Sequence, residues 1–239
     1  MKKQEPHKTG AAKAVADLAE VDANNIEANS IEAKRPICSV CLRPMRACIC
    51  ACVEVIACAT EVLILQHPAE LKHIKGSARL LHMCLPQSAI WVGEQFDAER
   101  LQQRLAQDNK TNILLYPDNT IASGVTDSFN PKSNKETSCT KPIRLIVIDA
   151  SWRQSRQMLA QNPLLQSLPR YALRDVPASR YQIRRAHAPD QLSSLEACAY
   201  ALMQLESANE ELRRLLTAFD RLNQMQLEFG VHNLVRTKK

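Results

Sequence analysis

Short apolar runs alternate with longer amphipathic stretches through the middle of this chain. Residues 62–66 (Val-Leu-Ile-Leu-Gln) form one run, broken by His67-Pro68, and residues 89–92 form another. A third covers 112–116, stopped by Pro117-Asp118, and a fourth covers 143–148 (Ile-Arg-Leu-Ile-Val-Ile), bounded by Pro142. Runs of this length without alternation read as strands covered on both faces. Between them lie helical patterns at 70–82, at 97–107 with Asp97 as cap, and at 152–161, ended by Pro163. Shorter strands are expected at 171–173 and 181–183. Strong helical patterns follow at 195–205 and 210–227, the first opened by a Ser193/Glu196 capping box. Such alternation predicts an α/β domain with a mostly parallel sheet and flanking helices.

The ends and the middle differ in character. Residues 1–34 carry only a short apolar stripe (Ala11, Val15, Leu18) and read as a mobile N-terminal arm. Residues 35–53 read as a metal-binding segment, 54–230 as the main α/β domain and 231–239 as a tail. Residues 119–141 are polar, a loop of the length that serves function or stays disordered.

The metal expectation rests on cysteine spacing. Cys38-Ser39-Val40-Cys41 is followed after six residues by Cys48-Ile49-Cys50, with Cys52 two further on. Two close pairs of thiolates can wrap one tetrahedral Zn²⁺, each pair supplying two corners. The expected ligands are Cys38, Cys41, Cys48 and Cys50, with Cys52 the alternative for the fourth. Four filled positions leave no room for substrate, so the zinc is structural, a staple for a segment too short to build its own core.

Composition narrows the class. The 239 residues are 45% hydrophobic, ordinary for a globular protein, and no apolar run approaches the roughly 20 residues of a membrane span. The first residues lack the apolar core of a secretory signal. Asp17, Glu20, Asp22, Glu27 and Glu32 argue against a transit peptide, so a cytoplasmic protein without membrane contact is expected. The net charge of +6 is uneven: residues 141–190 hold nine basic groups against three acids, an excess equal to that of the whole chain. Eight of the nine are arginine, whose planar fork suits phosphate, and a polyanion partner follows. Nothing calls for an obligate protein partner.

The fourth strand runs into Asp149-Ala150-Ser151-Trp152, a carboxylate, a hydroxyl and an indole at its carboxyl end. Ligands bind at the carboxyl ends of strands in open α/β sheets. Asp149 also suits a helix N-cap, and Trp152 suits core packing, as alternatives to chemistry.

Several segments, taken in order, carry a resemblance. They are the paired cysteines, Leu65-Gln66-His67-Pro68, Ser77-Ala78-Arg79-Leu80, Leu115-Tyr116-Pro117, Asp149-Ala150-Ser151-Trp152, Pro177-Ala178-Ser179-Arg180-Tyr181 and Leu192-Ser193-Ser194-Leu195-Glu196-Ala197. The series resembles the DTW-domain family, the tRNA-uridine aminocarboxypropyltransferases, over roughly residues 35–205. The resemblance implies transfer of the 3-amino-3-carboxypropyl group of S-adenosyl-L-methionine to N3 of a tRNA uridine, which lies in the variable loop in bacterial members, with release of 5′-methylthioadenosine. It also implies a SPOUT-like domain with a knotted backbone. Ser151 stands where the family has threonine and keeps the hydroxyl. Gly76-Ser77 stands where Asn-Thr is common, and Asp118 where glycine is usual.

On this reading Asp149 is the base or the orienter of the uridine, with Ser151 and Trp152 beside it, the indole shaping the pocket or stacking on a base. Leu115, Tyr116 and Pro117 line the adenine side. The start of the capped helix, Ser193-Ser194, faces the carboxylate of the transferred group through its backbone N–H groups. Glu196 either pairs with the ammonium or serves only the capping box. Arg153, Arg156, Arg180, Arg184 and Arg185 are the phosphate contacts, and Arg144, within the strand, has internal pairing as its alternative. Two other readings share these features: a SPOUT-type RNA methyltransferase, and a zinc-bearing RNA-binding protein without activity.

Overall fold

The computed structural model describes residues 36–71, 73, 75–117, 129, 141–181, 192–206 and 209–229. The expected N-terminal arm, most of the 119–141 loop, the strand beyond Tyr181 and the tail lie outside them. The chain divides into two compact units, Met1–Ala51 and Cys52–Lys239.

The described part of the first unit is a turn-rich knuckle. Ile37 bridges to Pro44, and a 3-10 turn covers Met45–Ala47. Leu42 sits at φ 55°, the left-handed region, and its N–H donates to the Cys38 carbonyl at 2.9 Å. A leucine there costs about 1–2 kcal/mol relative to ordinary backbone. The turn it makes lets the chain double back, so that the Cys38 N–H meets the Arg43 carbonyl.

The second unit is an α/β sheet. Its strands are β1 (Glu61–Gln66), β2 (Ser88–Val92), β3 (Thr111–Leu115), β4 (Ile143–Asp149) and β5 (Arg170–Tyr171). All pairings are parallel, in the order β2-β1-β4-β3-β5. The helices are α1 (Ala78–Cys84), α2 (Ala98–Ala106), α3 (Trp152–Gln161), α4 (Pro163–Gln166), α5 (Ser194–Glu206) and α6 (Asn209–Glu228). No helix among the described residues is long and apolar enough to cross a membrane.

Every residue of β1 is buried, because both faces of the sheet are covered. Leu63 and Leu65 of β1 and Ile146 of β4 pack with Leu101 of α2, Met158 and Leu159 of α3 and Leu165 of α4. The alternate residues Val62, Ile64, Leu145 and Val147 project to the other face by the pleat, where α1, α5 and α6 pack on one another.

A charged knot closes the amino-terminal ends of the strands. Arg144 is fully buried and donates through Nε to Glu61 Oε1 at 2.7 Å and through Nη2 to Oε2 at 3.2 Å. Its Nη1 donates to the Arg104 carbonyl at 2.6 Å and to Asn112 Oδ1 at 3.2 Å. Lys110 reaches Glu61 Oε2 at 2.6 Å, and Arg104 also pairs with Oε1. Burial pushes the Glu61 carboxyl up, but the bonds from Arg144 and Lys110 and the charge of Arg104 outweigh it and hold it below the usual carboxylate range. Arg144 therefore serves the fold and leaves the expected polyanion cluster.

Three element boundaries differ from expectation. The helix expected from 70 begins only at Ala78: Pro68–Glu70 is a 3-10 turn, and turn bonds continue from His73 N–H to the Glu70 carbonyl and from Gly76 N–H to the His73 carbonyl. A glycine at 76 favours such a turn over continued helix. Pro163 ends one helix but also opens α4, its missing N–H being spare at a first helical position. The strand expected at 171–173 pairs only at Arg170–Tyr171.

Candidate functional site

The connections leaving β1 and β4 run to opposite sides of the sheet, so the crevice at their carboxyl ends is the topological switch point. Gln66 and Asp149 are register partners there. Gln66 Nε2 donates to Asp149 Oδ2 at 2.8 Å, and Ser194 Oγ donates to Oδ1 at 2.6 Å. The Asp149 carbonyl accepts from the His67 N–H at 3.0 Å. Asp149 is buried, and each carboxylate oxygen is held by a neutral donor. It does not cap the following helix. Ser151 does: its Oγ accepts from the Gln154 N–H at 3.4 Å while Gln154 Oε1 accepts from the Ser151 N–H at 3.0 Å.

Trp152 is not a core residue. It opens α3 with its side chain half-exposed (49%), edge-on to the Tyr116 ring at 5.9 Å. Tyr116 is buried at the end of β3 and shares a 3.2 Å hydrogen bond with Ser155 Oγ. The Arg170 guanidinium lies over the Tyr116 ring, 5.4 Å from its centroid, and Arg170 Nη1 donates to the Pro117 carbonyl at 3.4 Å. The Arg170 Nε–H is buried and has no hydrogen-bond partner among the described residues. Leu115, Tyr116, Pro117, Arg170 and Trp152 thus form one corner beside Asp149.

The start of α5 is built as expected, but its donors are largely used. Ser193 N–H donates to Glu196 Oε2 at 2.9 Å and Glu196 N–H to Ser193 Oγ at 3.2 Å, the expected capping box. The Leu195 N–H goes to Ser77 Oγ at 3.3 Å. Glu196 is fully buried; it also accepts from Ser179 Oγ at 2.9 Å and from the Arg180 N–H at 2.6 Å. Its carboxylate therefore ties residues 179–180 to α5, a use that leaves little room for a ligand ammonium.

Of the arginines, Arg153 and Arg156 are exposed on α3, next to Trp152. The Arg180 side chain is exposed but pairs with Asp220 at 2.7 Å, which reduces its value as a phosphate contact. Arg184 and Arg185 lie outside the described residues.

The first unit carries the cysteine cluster. Cys38, Cys41, Cys48 and Cys50 bring their sulfurs within 4.8 Å of one another and could hold a metal ion. Cys38 Sγ lies 3.7 Å from Cys50 Sγ, and Cys41 Sγ 3.7 Å from Cys48 Sγ. Sulfurs 2.3 Å from a tetrahedral centre stand about 3.8 Å apart, so the thiols already have the spacing of such a ligand set. Backbone N–H groups of Cys41 and Val40 hold the Cys38 thiol down at about 6, whereas burial and the neighbouring thiols push Cys50 up. Four sulfurs this close cannot all ionise without a cation among them. Cys50, the expected fourth ligand, lies in this cluster. Burial pushes the Cys58 thiol up to about 12 and that of Cys84 to about 11, so these are inert core residues.

The DTW domain family model matches residues 35–227. The chain belongs to the DTW-domain family. Among relatives, tRNA-uridine aminocarboxypropyltransferase 2 of Macaca fascicularis is 30% identical over 225 residues, covering 92% of this chain and 73% of that protein. The protein of the same name from Mus musculus is 29% identical over the same shares. That from Drosophila melanogaster is 31% identical over 203 residues, 82% of this chain and 77% of its own. No solved structure matches the chain.

In this DTW-domain protein three features escaped the sequence reading of roles. Gln66 lies in a segment that carried the resemblance, yet its bond to Asp149 becomes visible only once β1 lies beside β4. Arg170 reads as one surface charge among many until β5 joins β3. His67, in the same segment as Gln66, pairs with Glu94 at 3.1 Å across 27 positions, a contact that the segment does not announce. A cavity of about 400 Å³ lies between the 95–98 turn and residues 161–164, and none of the expected site residues lines it.

Proposed function

We propose that this protein is a tRNA-modifying transferase that moves the 3-amino-3-carboxypropyl group of S-adenosyl-L-methionine to N3 of a tRNA uridine, releasing 5′-methylthioadenosine. The observation that carries the reading is the family match across residues 35–227, with relatives named for that transfer. The bound co-substrate supplies a carbon made electrophilic by the adjoining sulfonium, so the protein needs no metal at this site. Its own residues bind and align. Leu115, Tyr116 and Pro117 line the adenine side. The unpartnered Nε–H of Arg170 offers a buried donor to the carboxylate of the transferred group. Ser193 and Ser194 wall the opposite side, and Ser194 with Gln66 orients Asp149.

Asp149 acts as an orienter in this reading, because both its oxygens already accept hydrogen bonds. Ser151 sets the start of α3, and with it the exposed indole of Trp152, which offers a stacking face for an unstacked base. Arg153 and Arg156 follow on the same helix and contact phosphates. Glu196 positions residues 179–180. The knotted SPOUT-like topology belongs to the same proposal, in keeping with the all-parallel sheet, as does a cytoplasmic location with tRNA as the partner.

Incubating the protein with tRNA and S-adenosyl-L-methionine, then weighing the nucleosides, tests the reaction. An aminocarboxypropyl uridine with matching methylthioadenosine is expected. A methyl adduct would make it a methyltransferase, and unchanged nucleosides with bound tRNA an RNA-binding protein without activity.

The four clustered cysteines bind Zn²⁺ in the same proposal, supported by an all-sulfur donor set with tetrahedral spacing. Elemental analysis should find about one zinc per chain in the purified protein and markedly less in Cys41→Ser. Full zinc content in that variant would exclude the site.

A further inference from the structure

The proposed transfer must remove the proton from uridine N3, and Asp149 is poorly placed to take it. A second carboxylate stands at the same end of the sheet. Glu94 lies two residues beyond Val92, the end of β2; Val92 and Asp149 are both register partners of Gln66, so their backbones stand about 10 Å apart. Its side chain is 45% exposed, and Oε1 lies 3.1 Å from His67 Nε2.

The pair is built with unusual care for a surface contact. His67 is buried, and its Nδ1 accepts from the Ala69 N–H at 3.1 Å, so in the neutral ring the hydrogen sits on Nε2 and points at Glu94. The backbone on either side of Glu94 is clamped. Gly93 N–H donates to the Gln66 carbonyl at 3.0 Å. Buried Asn162 donates to the Glu94 carbonyl at 2.9 Å and accepts from the Phe96 N–H at 2.9 Å. Gly93 itself leaves little space: a Cβ there would stand 3.2 Å from the Phe96 ring. A clamped loop thus presents one carboxylate to solvent, with one oxygen held from behind by the His67 imidazole.

We propose that Glu94, held by His67, is the acceptor-base residue of this site: its outward oxygen accepts the N3–H of the incoming uridine and takes that proton during transfer. The inference rests on the proposed reaction. As the N3–carbon bond forms, the carbon–sulfur bond breaks and its electron pair stays on sulfur, which leaves as a neutral thioether. The N3 proton passes to Glu94 and from there to solvent, to which the half-exposed carboxyl has access. His67 is a positioning residue; its N–H fixes which lone pairs of Glu94 face the base.

The test uses the full chain with tRNA and S-adenosyl-L-methionine. Glu94→Gln should lower the single-turnover rate about 10²–10³-fold, with the KM for the co-substrate within about threefold of the parent. His67→Gln should lower kcat about tenfold, again with both KM values nearly unchanged, and an unchanged kcat would remove His67 from the proposal. An unchanged rate for Glu94→Gln, with or without a lower melting temperature, would make the pair a simple loop tie and overturn the proposal. A raised co-substrate KM at unchanged kcat would place Glu94 on the ribose of the co-substrate and overturn it equally. A separate arm does not need turnover. Uridine 5′-monophosphate binding, followed by tryptophan fluorescence, should weaken about tenfold in Glu94→Gln, the loss of one charged hydrogen bond. Equal binding by both proteins, or by neither, would overturn the proposal. If the parent makes no aminocarboxypropyl product, the reaction class falls, and the binding arm still decides whether Glu94 meets a uracil.

Discussion

Glu61→Gln is expected to cost the main domain about 3–5 kcal/mol, measured as a shift of the urea midpoint at neutral pH with an unchanged slope. The reason lies in what the substitution leaves behind. Arg144 is fully buried and delivers two of its donors to Glu61, while Lys110 and Arg104 approach the same carboxylate. A glutamine keeps the shape but removes the charge, and its amide hydrogens face cations. The guanidinium of Arg144 cannot escape to water or lose its proton, so a buried charge is left with only the exposed Asp108 carboxylate, 3.5 Å from Nη2, to face it. A loss under about 1 kcal/mol would show that Asp108, Asn112 and the carbonyl oxygens around Arg144 suffice without Glu61.

The same network sets a pH dependence. Because the Glu61 carboxyl is held below its usual value in the folded state, its contribution is fully present above the unfolded value of about 4.3 and is lost as pH falls through the folded one. The parent should therefore lose stability faster than Glu61→Gln on acidification, and the two curves should converge.

Asp149→Asn is expected to lower turnover about 10²-fold while costing only about 1 kcal/mol of stability. The fold tolerates the change because Asp149 meets no cation among the bonds that hold it: a Gln66 amide and a Ser194 hydroxyl. An asparagine can accept from Gln66 and donate to Ser194 Oγ, whose hydroxyl can turn. The charge and the orientation of α5 against β4 are what change, and a small misplacement of aligned groups is enough for a loss of that size. The effect should fall on kcat more than on either KM. Turnover within threefold of the parent would confine Asp149 to holding the helix.

The fold class was legible because local pattern carried it. Val62-Leu63-Ile64-Leu65 and Leu145-Ile146-Val147-Ile148 have no polar alternation, and only a strand covered on both faces tolerates that. Asp97 and Ser193 read as caps because capping is a contact over three residues. The cysteine cluster was equally local, two pairs within thirteen residues. Boundaries set by weak local preferences were less legible, as the late start of α1 after Gly76 illustrates.

The sequence alone therefore determined the parallel α/β class, the cysteine cluster, the Asp149 strand end and, through the order of its motifs, the family. Tertiary structure decided what those residues do to one another. It buried Arg144 against Glu61, 83 positions away, and moved it from surface charge to core. It gave capping of α3 to Ser151, enclosed Glu196 beneath residues 179–180, and exposed the indole that an apolar count would have buried. It also brought Gln66 to Asp149 and His67 to Glu94. Those contacts depend on strand order, and hydrophobic pattern encodes which segments are strands but not which strands are neighbours.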